Sequence, residues 1–443
     1  MSGIGPRPIS KSVQWTICAV AAMGFLFDIY VVLVGPLILQ PALVELGRLK
    51  PGTPQYRDWA GYLFWIPPLV GGFCGLWGGY LADRFGRRRI LTWSILVYAI
   101  SATASGLATG LSTLLLFRTL SFAGTCVEFV AAVAWLAEVF TDARTREAVL
   151  GYTQAFSSLG GVLTAGAFYV ANRWGAAFPV IYGAHAAWRY ALIAGVAPAI
   201  PLAIIRPFLP ESPQWAHQRA LGTLKRPSVR ELFSPELRRV TIVSALLFAC
   251  AYGAAFGTIQ QSPQITPGLP QVARMGASAR GQAISSVQGT QEMGGLAGRI
   301  ALAALALVVL SRRRLLRMFL VPGIALIPIV FLYTATHSLE FFRVGIFFAG
   351  FTTVAQLTFW GNYLPRVYPV HLRGTGEGFA ANVGGRMAGT SAALVTTHLA
   401  ALMPGSSPSA RLTHAATAVG IGVYALALGL TFLLPEPPDK LPE

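Results

Sequence analysis

A few ionisable or amide side chains stand where long hydrophobic runs should exclude them. Asp28 interrupts MGFLFDIYVVLVGP, two residues before Tyr30, and Glu128 lies midway between Arg118 and Glu138 in RTLSFAGTCVEFVAAVAWLAE. Gln288, Glu292 and Arg299 punctuate a stretch rich in Gly and Ala, and Asn382 and Arg386 stand four apart further on. An acid at mid-bilayer costs about 2.5–3.5 kcal/mol on insertion scales and persists chiefly when it is paired or working. Two chemistries fit such residues. A carboxyl can take up and release a proton, and a guanidinium that cannot shed its charge needs either an internal carboxylate or an anionic ligand.

Asp28 and Glu128 are the proton-coupling candidates. Asp28 is the only acid or base in residues 13–39; the alternatives are an accepted structural hydrogen bond for Asp28 and a structural ion pair for Glu128. At 100° per residue, steps of seven and eleven return to within about 20° of the same direction. Gln288, Glu292 and Arg299 therefore share one helix face, predicted to line a cavity. Arg299 is the leading anion-binding candidate, with pairing to Glu292 as the alternative; Tyr30, Arg118, Asn382 and Arg386 complete the expected lining.

The elements that must position these residues are set by composition. The 443 residues are 54% hydrophobic and 12% charged, with a mean hydropathy of +0.58, whereas soluble domains are about 25% charged. A hydrocarbon layer of about 30 Å takes about 20 apolar residues per helix. The sequence divides into twelve such spans, at residues 13–39, 59–81, 90–107, 113–140, 148–171, 188–205, 240–259, 285–310, 315–334, 341–364, 375–402 and 415–434. The longest polar stretch, 206–239, contains five prolines. It is predicted to be a cytoplasmic linker with short amphipathic helices between two six-helix bundles, 1–205 and 240–443.

A net charge of +17 would suggest nucleic acid in a soluble protein, but the distribution of the 34 Lys and Arg points to a bilayer. On these spans, 22 lie on the face holding both termini, 9 on the other and 3 within spans. That asymmetry places both termini in the cytoplasm, and some of the basic residues will meet anionic headgroups. No nucleic-acid partner is expected. The four cysteines fall in apolar segments at unrelated spacings, so free buried thiols are expected rather than disulfides or a metal site. No removable signal peptide is read at the N-terminus.

Arg87, Arg88 and Arg89 recur 225 residues later as Arg312, Arg313 and Arg314, and the Arg146/Gly151 pair recurs 227 residues later as Arg373/Gly378. Near-equal offsets of about half the chain predict two related halves in the same orientation.

Gly79 to Arg89, GYLADRFGRRR, closely resembles the loop signature of the major facilitator superfamily of membrane transporters. The resemblance implies an all-α fold of twelve transmembrane helices in two pseudo-symmetric bundles around a central cavity, working by alternating access. It also implies a cytoplasmic gate. The glycines Gly79 and Gly86 permit a tight turn and close approach, Asp83 sits near a helix N-terminus, and Arg84, Arg87 and Arg88 bind acids at helix ends, with Glu138 as the expected partner.

The segment after Arg118 resembles the fourth helix of the metabolite/proton symporter branch, of monocarboxylate or aromatic-acid type. YPVHLRGTGEGFAANVGGR resembles that branch's eleventh, where Arg373 and Glu377 are expected to mirror the first latch, Glu377 on Arg312 to Arg314. PESPQW and Gln260-Gln261 are similar to sugar-porter tags. Ser157-Ser158-Leu159-Gly160-Gly161 lacks the Gly-Pro pair of drug/proton antiporters, which favours symport.

The expected function is proton-coupled symport of a small organic anion, a mono- or other carboxylate, by a monomer in the plasma (inner) membrane. Protons are the coupling ion and no cofactor is expected. Sugar or polyol symport is the alternative. A membrane enzyme or transport-dead sensor is disfavoured, since the six histidines show no HxxxH spacing and no phosphate-cradling GxxxxGK occurs.

Overall fold

The computed structural model describes residues 9–140, 142–197, 199–221, 229–369 and 372–437; a few side chains within helices, that of Asp83 among them, lie outside the described residues. The chain forms twelve helical spans. Spans 1 to 4 are Lys11–Gly47, Pro54–Phe85, Arg87–Gly106 and Leu111–Val139. Span 5 joins Ala143–Ser157 to Leu159–Trp174, and span 6 joins Ala187–Ala194 to Ala199–Ile205. Span 7 is Arg238–Gly257, span 8 Ala277–Val308, span 9 Arg312–Pro328 with a π-helical extension Ile329–Thr334, and span 10 Leu339–Val367. Span 11 runs through Arg373–Phe379, a π-helix Ala380–Gly389 and Ser391–Leu399; span 12 is Pro408–Leu430.

Nine stretches among the described residues are long and apolar enough to cross a membrane by length and composition alone. The other three are spans 3, 5 and 11. Span 3 opens on three arginines, span 5 is interrupted at Ser158, and span 11 carries Gly384, Gly385, Arg386 and Gly389 in its π-helix.

Spans 1 and 8 are 37 and 32 residues long, more than the apolar runs predict. At 1.5 Å per residue span 8 is about 48 Å long, beyond a hydrocarbon layer of about 30 Å, so its polar beginning need not be buried in lipid. Small residues bring helices together. A Cβ on Gly294 or Gly298 would lie 2.0 or 2.1 Å from the carbonyl oxygens of Phe347 and Phe351, which fixes spans 8 and 10 backbone to backbone. Gly86, at φ +98°, turns span 2 into span 3.

The stretch between spans 6 and 7 holds a 3-10 turn Arg206–Phe208, a helix Pro213–Ala220 capped by Ser212, and a second 3-10 turn Val229–Phe233. One large core cluster belongs to spans 7–12 and the segments that join them, with Leu232 from the turn before span 7 and Leu434 from beyond span 12. Two others lie within spans 1–6. A fourth is shared: Leu39, Leu43, Tyr56 and Phe64 pack with Phe256 and Ala393 across the two halves.

Candidate functional site

Inside the N-terminal half, Arg206 Nη2 donates to Glu128 Oε1, the two side chains being 1% and 0% exposed. Arg206 Nη1 also donates to the Leu91 carbonyl at 3.1 Å. The pair presses against span 1 at Gly24, where a Cβ would lie 2.5 Å from Glu128 Oε1 and 2.6 Å from Arg206 Nη2. Glu128 is thus ion-paired in this structure. Its partner, assigned by sequence to the polar linker, is embedded in the bundle.

Asp28 lies one turn beyond Gly24 and is buried, and neither carboxylate oxygen has a hydrogen-bond partner among the described residues. The same holds for the Tyr98 hydroxyl, Glu128 Oε2 and Arg206 Nε. Asp28 is within electrostatic reach of Glu128, Arg206 and Arg386.

Arg386 comes from the other half. Its guanidinium lies over the Phe129 ring of span 4, 5.3 Å from the centroid, and its Nη1 donates to Asn382 Oδ1 at 2.7 Å. Asn382 in turn packs on Gly75 of span 2, where a Cβ would meet Oδ1 at 2.6 Å. Phe129 packs on Phe25 of span 1 at 5.4 Å. The π-helical turn of span 11 therefore delivers an arginine from the C-terminal half to the neighbourhood of Asp28.

Glu292 is buried in span 8. Its Oε1 accepts from the amides of Gln260, Gln288 and Gln291 at 3.0, 2.7 and 3.2 Å. The carboxylate faces Gly161 of span 5, where a Cβ would lie 2.5 Å from Oε2. The expected polar face is present: Gln288 and Glu292 meet directly, and Arg299 is within electrostatic reach of Glu292 and Tyr252. Arg299 Nε is buried with no hydrogen-bond partner among the described residues.

Two expected lining residues also make buried hydrogen bonds to backbone carbonyls of other spans. The Tyr30 hydroxyl donates to the Ala191 carbonyl at 2.6 Å, tying span 1 to span 6 instead of facing a cavity. Arg118 is buried, donates to the Val31 carbonyl at 2.8 Å and lies over Phe122. It lines a small cavity with Gly35, Phe64 and Phe256.

At the terminus-bearing face, Arg87 Nη2 donates to Glu138 Oε1 at 2.7 Å. Glu211, from the segment after span 6, accepts the backbone N–H of Arg87 at 3.0 Å and of Arg88, capping span 3, while Arg88 Nη1 donates to the Leu209 carbonyl. Glu436, from the segment after span 12, accepts from Ser311 Oγ at 2.7 Å and from the N–H of Arg312 and Arg313 at 2.9 and 3.1 Å. Arg313 Nε donates to the Leu434 carbonyl. Glu211 and Glu436 are 225 residues apart, the same offset as the arginine blocks they cap. In the second half Glu436 caps these arginines. Arg84 is exposed and donates to Tyr80 Oη at 3.3 Å, and Arg373 Nε donates to the Tyr368 carbonyl. Gly79 is not needed for close approach, since a Cβ would meet Val130 at an ordinary 3.7 Å; Gly78 is the tighter position, 3.2 Å from Val127 Cα.

The sequence profile described as Major Facilitator Superfamily matches residues 16–393. The chain belongs to that superfamily. It is 27% identical over 366 residues to the probable 4-methylmuconolactone transporter of Cupriavidus pinatubonensis, covering 82% of this chain and 78% of that protein. It is 26% identical over 401 residues to the 3-(3-hydroxy-phenyl)propionate transporter of Escherichia coli, covering 90% and 91%. The crystal structure of a D-xylose-proton symporter superposes with a TM-score of 0.73 at 16% identity, covering 96% of this chain and 99% of that one, and supports the fold.

This facilitator is therefore an integral membrane transporter, and its fold explains what sequence reasoning missed. Arg206 stands at the end of an apolar run and before a proline, so composition assigned it to the linker. The signal available was the unpaired acid at Glu128, which needed a cation from somewhere. In sequence Gln260 stands out only as part of a sugar-porter-like tag, and Gln291, next to Glu292, lies about 100° from it around the helix and so off the expected stripe. Gly24 carried no chemical signal of its own.

Proposed function

We propose that this facilitator is a proton-coupled symporter of a small organic anion, a carboxylate, with both termini in the cytoplasm of a cell whose plasma (inner) membrane it spans. The observation that carries the proposal is Arg386 reaching from span 11 over Phe129, into electrostatic reach of the unpartnered Asp28 of span 1. Asp28, which also feels Glu128 and Arg206, and Arg386 come one from each half, and no hydrogen bond joins them among the described residues. A proton on Asp28 removes the internal counter-charge of Arg386, which is then free to take a substrate carboxylate, bidentately if the approach allows. Proton and anion then bind together, and loss of the proton on the cytoplasmic side restores the Asp28 charge that expels the anion. A relative whose name specifies a hydroxyphenyl propionate, an aromatic carboxylate, supports this class of substrate. Arg299, farther along span 8 beside Glu292, is the second cation of the cavity.

The test is uptake of 3-(3-hydroxyphenyl)propionate, benzoate and D-xylose into proteoliposomes under an imposed inward proton gradient. Carboxylate accumulation that collapses with the gradient and is lost in Arg386→Gln is the expected result. Carboxylate uptake indifferent to the gradient, or intact in Arg386→Gln, overturns the mechanism. The ring of amides from Gln260, Gln288 and Gln291 around Glu292 supports a second reading, a neutral polyhydroxylated substrate. Gradient-driven xylose uptake without carboxylate uptake would select it.

A further inference from the structure

At the face opposite the termini lies a cavity of about 610 Å³ that the mechanism above does not use. Both halves line it: Gln40, Tyr56 and Arg57 from spans 1 and 2, and Gln264, Arg280 and Arg411 from the C-terminal half. No Asp or Glu is among its described lining residues. The hydrogen bonds that its three arginines make go to backbone carbonyls: Arg57 to Gly52 at 2.9 Å, Arg280 to Ala273 and Met275 at 3.1 and 3.2 Å, and Arg411 to Gly405 at 3.1 Å. Arg280 Nε is buried with no hydrogen-bond partner among the described residues. Asp58, the acid adjacent in sequence, turns to His398 at 3.8 Å.

The cavity also collects helix ends. Spans 2, 8 and 12 all begin here, and the N-capping residues Thr53 and Ser407 are part of its wall. Three helix N-termini add positive partial charge to three guanidinium groups. On its inner side Tyr56 Oη donates to Gln264 Oε1 at 3.4 Å, a bond between the two halves, and the shared core of Leu39, Phe64 and Phe256 continues inward from there. Below that plug lies the small cavity containing Arg118. Gln40 is twelve residues beyond Asp28 on span 1, about 18 Å along the helix, so this chamber is separate from the proton site.

We propose that this outer chamber is a recruitment site for organic carboxylates, which Arg57, Arg280 and Arg411 concentrate from the aqueous phase before the Tyr56–Gln264 contact parts. The proposal rests on the anion-transport reading and adds to it a site of its own. Its three cations come from both halves, so it is assembled only while the halves meet at this face. Like charges lining a concave, low-dielectric wall raise the local concentration of a counter-ion and its on-rate by factors of ten or more, in a salt-dependent way.

The experiment compares wild type, the triple variant Arg57→Gln/Arg280→Gln/Arg411→Gln, the triple Lys variant and Arg386→Gln. Initial uptake of 3-(3-hydroxyphenyl)propionate into proteoliposomes is measured from about 10 to 200 mM salt, together with calorimetric binding of the same anion in detergent. The chamber predicts that the triple Gln variant raises KM about tenfold at low salt, loses the salt dependence and keeps its maximal rate, while the triple Lys variant stays near wild type. A KM and salt slope unchanged in the triple Gln variant, with uptake abolished in Arg386→Gln, overturns the chamber and leaves anion transport standing. If the wild type transports no carboxylate, transport of that class falls; binding lost in the triple Gln variant but kept in Arg386→Gln still supports the chamber, and binding indifferent to all three arginines overturns it. If the triple Gln variant does not reach the membrane, the exposed Arg411→Gln alone decides by the same KM and salt slope.

Discussion

Arg206 and Glu128 face each other inside the N-terminal half, from the turn that follows span 6 to span 4, with almost no exposure on either side chain. A buried pair of this kind is weak evidence of net stabilisation, because two charges have been taken from water, but removing one partner strands the other. Arg206→Gln is therefore expected to destabilise the detergent-solubilised protein by about 3–5 kcal/mol, read as a fall in melting temperature. The double variant Arg206→Gln/Glu128→Gln should recover much of that loss. Equal losses in the single and double variants would show that the charges are not coupled.

Gly160 and Gly161 are neighbours on span 5 with opposite prospects. A Cβ on Gly160 would lie 2.1 Å from the Leu26 carbonyl oxygen, a backbone atom that cannot turn aside, while a Cβ on Gly161 would meet the carboxylate end of Glu292. Gly160→Ala should cost about 1–3 kcal/mol through overpacking. Gly161→Ala should alter KM by displacing Glu292, and should lower melting less than Gly160→Ala, because a side chain can shift where a backbone oxygen cannot. Thermal melts and uptake kinetics on the two variants separate these outcomes.

Much of the fold was legible because it is dictated by hydropathy and charge: twelve spans follow from apolar runs and the places where arginines interrupt them. Span 3 could be placed even though its arginines lower its mean hydropathy, since the loop signature announced its start. What sequence could not convey was which buried groups find each other. Arg206 and Glu128 are 78 residues apart, and nothing local to Arg206 distinguishes it from the linker cations that follow. Arg386 stands behind Arg299 in the sequence, which carries no sign of the partner it meets in the other half. The π-helix over Ala380–Gly389 changes the angular position of each side chain and carries Arg386 toward Asp28. Tyr30, two residues from Asp28, lies about 200° around the helix from it and so faces span 6.

Glu436 gives a prediction in pH. Burial pushes its carboxyl up, but the hydrogen bonds from Ser311 Oγ and from the N–H of Arg312 and Arg313 outweigh it and hold the group below its ordinary value of 4.5. A depressed carboxyl stabilises the folded state above the unfolded pKa, and that contribution is lost as pH falls through the folded one. The wild type should lose stability below about pH 4.5, more steeply than Glu436→Gln, whose pH profile should be flatter over the same interval. Because the group is partly exposed, the difference is expected to be small; identical acid profiles would remove Glu436 as a cap of span 9.

Asn382 links Gly75 to Arg386, so two different substitutions should give one phenotype. Asn382→Ala removes the oxygen that accepts from Arg386 Nη1, and Gly75→Ala puts a Cβ 2.6 Å from where that oxygen stands. Both should raise KM for the carboxylate by releasing Arg386 from its orientation. Since each acts through the same contact, the double variant should be little worse than either single one. Additive effects on KM would mean that Gly75 acts through span packing and not through Asn382.

Asp28→Asn separates proton coupling from substrate binding. The amide is nearly the size of the carboxyl, carries no charge and cannot release a proton, so the variant is held in the state that leaves Arg386 available to an anion. Exchange of labelled for unlabelled 3-(3-hydroxyphenyl)propionate at equal pH on both sides should persist, because the bound complex can still reorient. Accumulation driven by an inward proton gradient should fall at least tenfold, since release is no longer assisted by a restored carboxylate. Glu128→Gln is the control within the same half: it disturbs the Arg206 pair and should lower stability while leaving coupling intact. Gradient-driven accumulation that survives Asp28→Asn but disappears in Glu128→Gln would move the proton site from span 1 to span 4 and make the Arg206 pair, rather than Arg386, the partner of the transported proton.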